Sequence, residues 1–265
     1  MKTLNYKEKK FIWGAHNDYY GNLFLKRATG HLPEMESSKA LAKIVAQYIK
    51  NNDNILDAGC GVGHYLRSLD KLIKKNFIYT GFDATAKYID IAKKIFLNKK
   101  GVPARKQSIY FEKKNIEIIR SVKKKYDITF CCNVLLHLHN PKKAIKNLLK
   151  ITKRVLIIRT LISEKNYIVK ELNKDSKLKD LDKNLNSEKF IYYNLFTKNQ
   201  IKHWLTNKNK HIKLKIFPDR DFNVKNINQK KEFIKNFNQN TTVIDNKQMN
   251  GPIMLPWHFI ICKII

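Results

Sequence analysis

Residues 54–69, NILDAGCGVGHYLRSL, constrain what this chain can fold into more than any other stretch of it. A short apolar strand pattern runs into three glycines at alternate positions, Gly59, Gly61 and Gly63. A helical pattern then places Leu66, Leu69 and Leu72 on one face. A strand-to-helix turn with glycine at every second position is one that adopts positive φ or passes close beneath a ligand, where a side chain would block the approach. The backbone N–H groups at the start of the following helix are then available to a carboxylate or a phosphate. The segment reads as a cradle for a nucleoside cofactor.

The spacing discriminates between cofactors. A dinucleotide fingerprint, G-x-G-x-x-G, would need glycine at position 64, and this chain has His64 there. Asp57, two residues before the first glycine, together with the compact Gly59-Cys60-Gly61-Val62-Gly63, resembles the first motif of the class I S-adenosylmethionine-dependent methyltransferases, of the small-molecule type. The resemblance covers most of residues 37–265 and is most specific at this first motif. It implies a Rossmann-like, doubly wound α/β fold with a mostly parallel seven-stranded sheet, helices on both faces and an antiparallel last strand. It also implies S-adenosylmethionine as cofactor and S-adenosylhomocysteine as product.

The rest of the pattern agrees. Residues 77–82 read as a second strand with Asp83 at its end, where a carboxylate can accept from both ribose hydroxyls. Ala84 follows it, and a helix over 85–97 turns Ile89, Ala92, Ile95 and Phe96 inward. A third strand over 108–111 is followed by Asn115 and Ile116. Many relatives carry an acidic residue where Asn115 falls, to accept from the adenine amino group, and an asparagine amide oxygen can still do so. A fourth strand over 126–132 leads into NVLLHLHNP, which looks like the V-L-H-H-L-P-D-P segment of small-molecule members. That match places Asn133 at the cofactor and His137 on the family's usual histidine, and offers His137 or His139 as the general base. The same histidines equally suit a structural hydrogen bond to the next loop. Asn140 and Pro141 form an N-cap and first helical residue, Thr197 and Gln200 a capping box. Further strands are expected over 154–161, 211–217 and 257–264.

Outside the core, residues 1–36 precede the first core helix, whose Leu41, Ile44, Val45, Tyr48 and Ile49 share a face. This leader carries Trp13, His16, Tyr19, Tyr20, Arg27 and His31. By the resemblance it is a cap over the cofactor in which Tyr20 or Arg27 meets the methionine carboxylate; packing against the first helix is the competing reading. Insertions at about 163–189 and 219–256 are long for a compact domain and read as walls of the acceptor site.

Composition excludes more than it selects. The chain of 265 residues is 43% hydrophobic, enough for one elaborated domain. No apolar run approaches the roughly 18 residues of a membrane span, and no signal-peptide pattern is present, so a cytoplasmic location is expected. Cys60, Cys131, Cys132 and Cys262 lack C-x-x-C spacing, and no His/Cys/carboxylate cluster has metal-ligand spacing. The formal net charge of +31 would attract polyanions. Its lysines, however, are spread along every segment with abundant Asn and Ile, the signature of an AT-rich coding sequence, while arginine is scarce. The charge therefore points only weakly to an anionic acceptor. The [DNS]-P-P-[YF] segment and Pro-Cys nucleophile of base-modifying relatives are missing. Three functions follow as expectations: methyl transfer to a hydroxyl or amine of a small-molecule or saccharide-type acceptor, ribose 2′-O-methylation of RNA, or cofactor binding without catalysis.

Overall fold

The computed structural model describes residues 18–97, 108–119, 124–172, 190–206, 211–220, 241–244, 247–250 and 253–265. Trp13 and His16, and much of both insertions, lie outside the described residues. In chain order the elements begin with α1 (Asp18–Thr29), α2 (Glu36–Ala46), β1 (Asp53–Ala58), α3 (Leu66–Leu72), β2 (Phe77–Asp83), α4 (Ala86–Phe96), β3 (Ile109–Lys113) and β4 (Tyr126–Cys132). They continue with α5 (Pro141–Ile151), β5 (Thr152–Leu161), β6 (Tyr167–Leu172), β7 (Phe190–Leu195), α6 (Lys198–Leu205) and β8 (Ile212–Pro218). Three short strands, β9 (Thr241–Ile244), β10 (Lys247–Asn250) and β11 (Ile253–Met254), precede β12 (Trp257–Ile264).

Seven strands form one sheet in the order β3-β2-β1-β4-β5-β12-β8. Neighbours are parallel from β3 to β5, and β12 runs antiparallel to both β5 and β8. This is the expected sheet. Strand order reverses between β1 and β4, so the crevice at their carboxyl ends is where an open α/β sheet accepts a ligand. The central strands are buried on both sides, and their alternating side chains feed two cores. Ile55, Phe130 and Ile157 pack under α2, α3 and α4, whereas Leu56, Cys131 and Ile158 pack under α5 and α6.

Local chemistry explains the helix ends, with corrections. Asn140 Oδ1 accepts from the Lys143 N–H at 3.0 Å and Pro141 opens α5, as its sequence requires. Thr197 Oγ1 caps α6 through the Gln200 N–H at 3.1 Å, but the reciprocal half of the capping box is absent. The Thr197 N–H donates instead to Asn166 Oδ1 at 2.8 Å, which ties α6 to the first insertion. Leu72, the last residue of α3, is 41% exposed, while the inward place just after the helix is taken by its C-cap Ile73, 2% exposed, whose N–H donates to the Leu69 carbonyl. Ser37 and Ser38 are buried where α2 meets α3, bonding to Tyr65 and Ser68.

The insertions are not plain surface loops. The first contributes β6, which pairs antiparallel with β7 from Tyr167↔Leu195 to Leu172↔Phe190. The second contributes the sheet β11-β10-β9. All four cysteines are buried, and none is in a disulfide.

Candidate functional site

The glycine turn is held by its own backbone. Gly59, Gly61 and Gly63 all have positive φ, at 89°, 54° and 78°. Positive φ is one of the two uses that the sequence implied, and at Gly59 and Gly63 atoms of the protein itself also leave no room for a side chain. A Cβ on Gly59 would stand 2.2 Å from Val134 Cγ2, and one on Gly63 would stand 2.9 Å from the Phe111 ring. The N–H groups of Gly59 and Cys60 both donate to the Phe82 carbonyl, at 2.7 and 2.9 Å. Gly61 N–H donates to Asp83 Oδ2 at 2.9 Å, and Gly63 N–H to the Cys60 carbonyl. These four donors are spent internally, and α3 begins only at Leu66.

Two acids flank the turn. Asp57 is 2% exposed and accepts from the Tyr79 hydroxyl at 2.7 Å; burial, opposed by that bond, pushes its carboxyl up to about 8. It buttresses the turn from beneath. Asp83, at the end of β2, accepts from the Gly61 N–H through Oδ2 and from the Thr85 N–H through Oδ1 at 2.8 Å. Burial raises its pKa, against the pull of those N–H groups. Each oxygen keeps a second lone pair for a ligand hydroxyl. Ala84 beside it is half-buried. Cys60 is 1% exposed, with Sγ packed toward Gly81 and its thiol donating to the Gly61 carbonyl at 3.4 Å.

On the β3 side, Asn115 Oδ1 accepts from the Glu117 N–H at 2.8 Å, leaving one lone pair for an adenine amine. Ile116 is buried under Phe82, and its carbonyl accepts from Asn147 Nδ2. Over the turn lies α1. Phe24 and Ala28 pack on Val62 and Tyr88, with Tyr20 against the same cluster. The Arg27 carbonyl accepts from Arg67 Nη1 at 2.8 Å, holding the helix end down.

On the other side of the crevice, β4 ends in Asn133, whose φ of 61° turns the chain sharply. Leu135–His137 form a single 3₁₀ turn. His137 Nδ1–H donates to the Tyr192 carbonyl at 2.8 Å, and its ring meets Tyr193 edge-on. Burial presses its pKa down to about 4, against the raising effect of that carbonyl. His139 is exposed and pairs with the Tyr192 hydroxyl at 2.9 Å. Both histidines thus lean on β7, a strand not among those expected from the sequence.

His137 has a pH consequence. Its folded pKa lies below its ordinary 6.5, so the unfolded chain takes up the proton first on acidification. The stability it contributes is complete above pH 6.5 and declines as pH falls toward 4. His137→Gln keeps an N–H donor for Tyr192 and cannot titrate. It is expected to remove about 3 kcal/mol of acid destabilisation between those limits, read as a shallower slope of unfolding free energy against pH.

Sequence reading missed Arg159. It is 2% exposed, at the carboxyl end of β5. Its Nε donates to Asp219 Oδ2 at 2.7 Å and its Nη1 to Asn133 Oδ1 at 2.5 Å, and its guanidinium lies 4.1 Å from the centre of the Trp257 ring. Asn133 Nδ2 continues the chain to the Tyr65 hydroxyl at 3.3 Å. An arginine inside the otherwise apolar VLIIRTL was the available signal. His64 was noticed only as a mismatch. Its ring is 8% exposed, and Nδ1 has no hydrogen-bond partner among the described residues. A buried polar atom left so costs roughly 1–3 kcal/mol.

Among the described residues, no group of three or more His, Cys, Asp or Glu side chains could hold a metal ion. No helix is long and apolar enough to cross a membrane.

A positive-φ glycine turn, an acid at the end of the second strand and a crevice at the strand-order reversal stand together at the carboxyl ends of the strands. Residues 49–243 match the family described as "Methyltransferase domain", and the chain belongs to that family. It is similar to the ubiquinone biosynthesis O-methyltransferase of Coxiella burnetii, at 32% identity over 107 residues. That match takes in 40% of this chain and spans 42% of the relative's length. In structure it resembles magnesium protoporphyrin IX methyltransferase from Synechocystis PCC 6803 with bound SAM, at a TM-score of 0.53 and 14% identity, over 98% of this chain and 99% of that one. The [4+2]-cyclase SpnF gives the same TM-score at 13% identity, over 85% of this chain and 80% of that one. A protein named as a cyclase on this fold means that the architecture alone does not select the reaction.

Proposed function

We propose that the chain transfers the methyl group of S-adenosylmethionine to a hydroxyl or amine of a small molecule with an apolar or aromatic body. The observation that supports this reading is an apolar cluster next to the ends of β4 and β5. Tyr193, Leu195 and Leu255, brought by β7 and the second insertion, pack with Leu136 and Leu161, and Ile253 and Trp257 join them. An acceptor side built on apolar packing suits a compact apolar acceptor better than a phosphate backbone. The relative from Coxiella burnetii, named as an O-methyltransferase, favours a hydroxyl.

When bound, S-adenosylmethionine supplies a methyl group made electrophilic by its sulfonium. The protein's part is alignment, which can carry roughly 7–11 kcal/mol of a barrier, whereas a general base contributes typically 10²–10⁴-fold. In this reading Asp83 takes the ribose, Asn115 the adenine edge and α1 covers the amino-acid end with Tyr20 and Arg27. Burial holds His137 neutral and makes it a weak base. His139, at the exposed mouth beside Tyr192, is the better candidate to receive the acceptor's proton.

The test is release of S-adenosylhomocysteine with a panel of phenols, catechols, amines and sugars. Turnover of ring hydroxyls is expected. Turnover of RNA alone, with an affinity falling steeply in salt, would replace this function with ribose methylation. Asp83→Ala is expected to weaken S-adenosylhomocysteine binding about 10–100-fold by calorimetry, since a lost hydrogen bond to a charged group is worth about 1.5–3 kcal/mol. If His139→Ala retains wild-type turnover, that residue is not the base.

A further inference from the structure

His64 stands directly after the third glycine, where its ring lies flat on Phe24 of α1, with centroids 4.4 Å apart and planes within 4°. Its other side meets Tyr65 edge-on at 5.0 Å. The ring is thus fixed between the cap helix and the start of α3. Nδ1 lies 3.6 Å from where a Cβ on Gly61 would stand, beside the residue whose N–H is held by Asp83. Buried to more than nine-tenths, Nδ1 has no hydrogen-bond partner among the described residues. Native proteins pair the great majority of buried polar atoms, and the exceptions mark places where something else supplies the bond.

What could supply it follows from the neighbours. The N–H groups of Gly59, Cys60, Gly61 and Gly63 are all committed within the protein. A zwitterionic ligand end lying along this turn needs partners from outside those four donors. Burial, together with the positive charge of nearby Arg27, keeps the imidazole neutral, with its pKa pressed down to about 3. A neutral ring offers one donor and one acceptor.

We propose that His64 Nδ1 is a ligand for the amino-acid end of the cofactor, its α-ammonium or α-carboxylate, and that its stack on Phe24 couples the seating of α1 to that contact. The inference rests on the methyltransferase reading. It assigns to the residue that breaks the dinucleotide fingerprint a binding role of its own.

The experiment uses two ligands that share the adenosine and thioether but differ in the amino-acid end: S-adenosylhomocysteine, which has it, and 5′-methylthioadenosine, which lacks it. Calorimetry is carried out on the full chain, wild type and His64→Phe, the latter keeping an aromatic ring for Phe24. His64→Phe is expected to lose about 10–100-fold in affinity for S-adenosylhomocysteine and to bind 5′-methylthioadenosine within about twofold of wild type. His64→Asn, which restores a polar atom near the ring position, is expected to recover part of the loss and serves if the phenylalanine variant does not fold. Equal losses for both ligands, or a loss for neither, would overturn the assignment. Binding of neither ligand to the wild type would instead remove the cofactor reading beneath it.

Discussion

Gly59→Ala is expected to lower the melting temperature by roughly 5–15 °C and cofactor affinity by roughly 100-fold, the largest effect of any single methyl group added to the turn. Two costs add. Gly59 has a φ of 89°, and a side chain in a left-handed conformation costs roughly 1–2 kcal/mol. The new Cβ would lie 2.2 Å from Val134 Cγ2, so Val134 must move, and overpacking of this kind costs typically 1–3 kcal/mol more. Moving Val134 also disturbs its neighbour Asn133, whose turn joins the cofactor side of the crevice to Arg159. The site therefore loses geometry on both flanks. Val134→Ala in the same chain removes both Cγ atoms but leaves the positive φ and a Cβ at 3.2 Å, so it should restore about half of the melting temperature. A Gly59→Ala protein that melts and binds as wild type would refute the account. Differential scanning fluorimetry with and without S-adenosylhomocysteine reads both quantities.

The example shows what sequence can and cannot carry. Gly59, Gly61 and Gly63 were legible as special because alternate glycines between a strand and a helix have few uses. That the obstacle at Gly59 is Val134, 75 residues further on, depends on β1 pairing with β4, and no local pattern encodes it. The seven-stranded sheet was legible because its central strands are buried on both faces and read as apolar runs such as ILDA, ITFCC and VLIIRTL. β6 was not, because Tyr167–Leu172 is short and half-exposed, and its partner β7 stands 18 residues beyond it. Asp83 was legible from its position at a strand end. Its bond to the Gly61 N–H was not, since only the folded turn brings them within 2.9 Å. The buried group most easily passed over was Arg159, whose signal lay only in its apolar context, VLIIRTL, among many cationic residues.

Arg159→Met is expected to destabilise the protein by about 3–5 kcal/mol, measured by urea unfolding, because it strands a carboxylate. The Asp219 side chain is 1% exposed and that of Arg159 2%, so neither charge has water to fall back on. Breaking a buried pair from one side costs more than the pair contributes, whereas removing both charges is often nearly neutral. The double variant Arg159→Met with Asp219→Asn should therefore regain most of the lost stability. Activity should follow a different course. Arg159 Nη1 holds Asn133 Oδ1, which fixes the amide of a residue at a left-handed φ of 61°, a conformation that Asn tolerates better than most side chains. Removing the guanidinium frees the turn at the end of β4, whether or not Asp219 is neutralised. The double variant is thus expected to unfold near the wild-type urea midpoint yet turn over acceptor at least about tenfold more slowly at saturating cofactor, as misplacement of the reacting groups predicts. Arg159→Lys should not rescue it, because one ammonium cannot reproduce the planar fork that reaches Asp219 and Asn133 while stacking on Trp257. A single Arg159→Met variant destabilised by under about 1 kcal/mol would show that the carboxylate finds water or another partner, and the argument for a buried clamp between β4, β5 and the second insertion would fail with it.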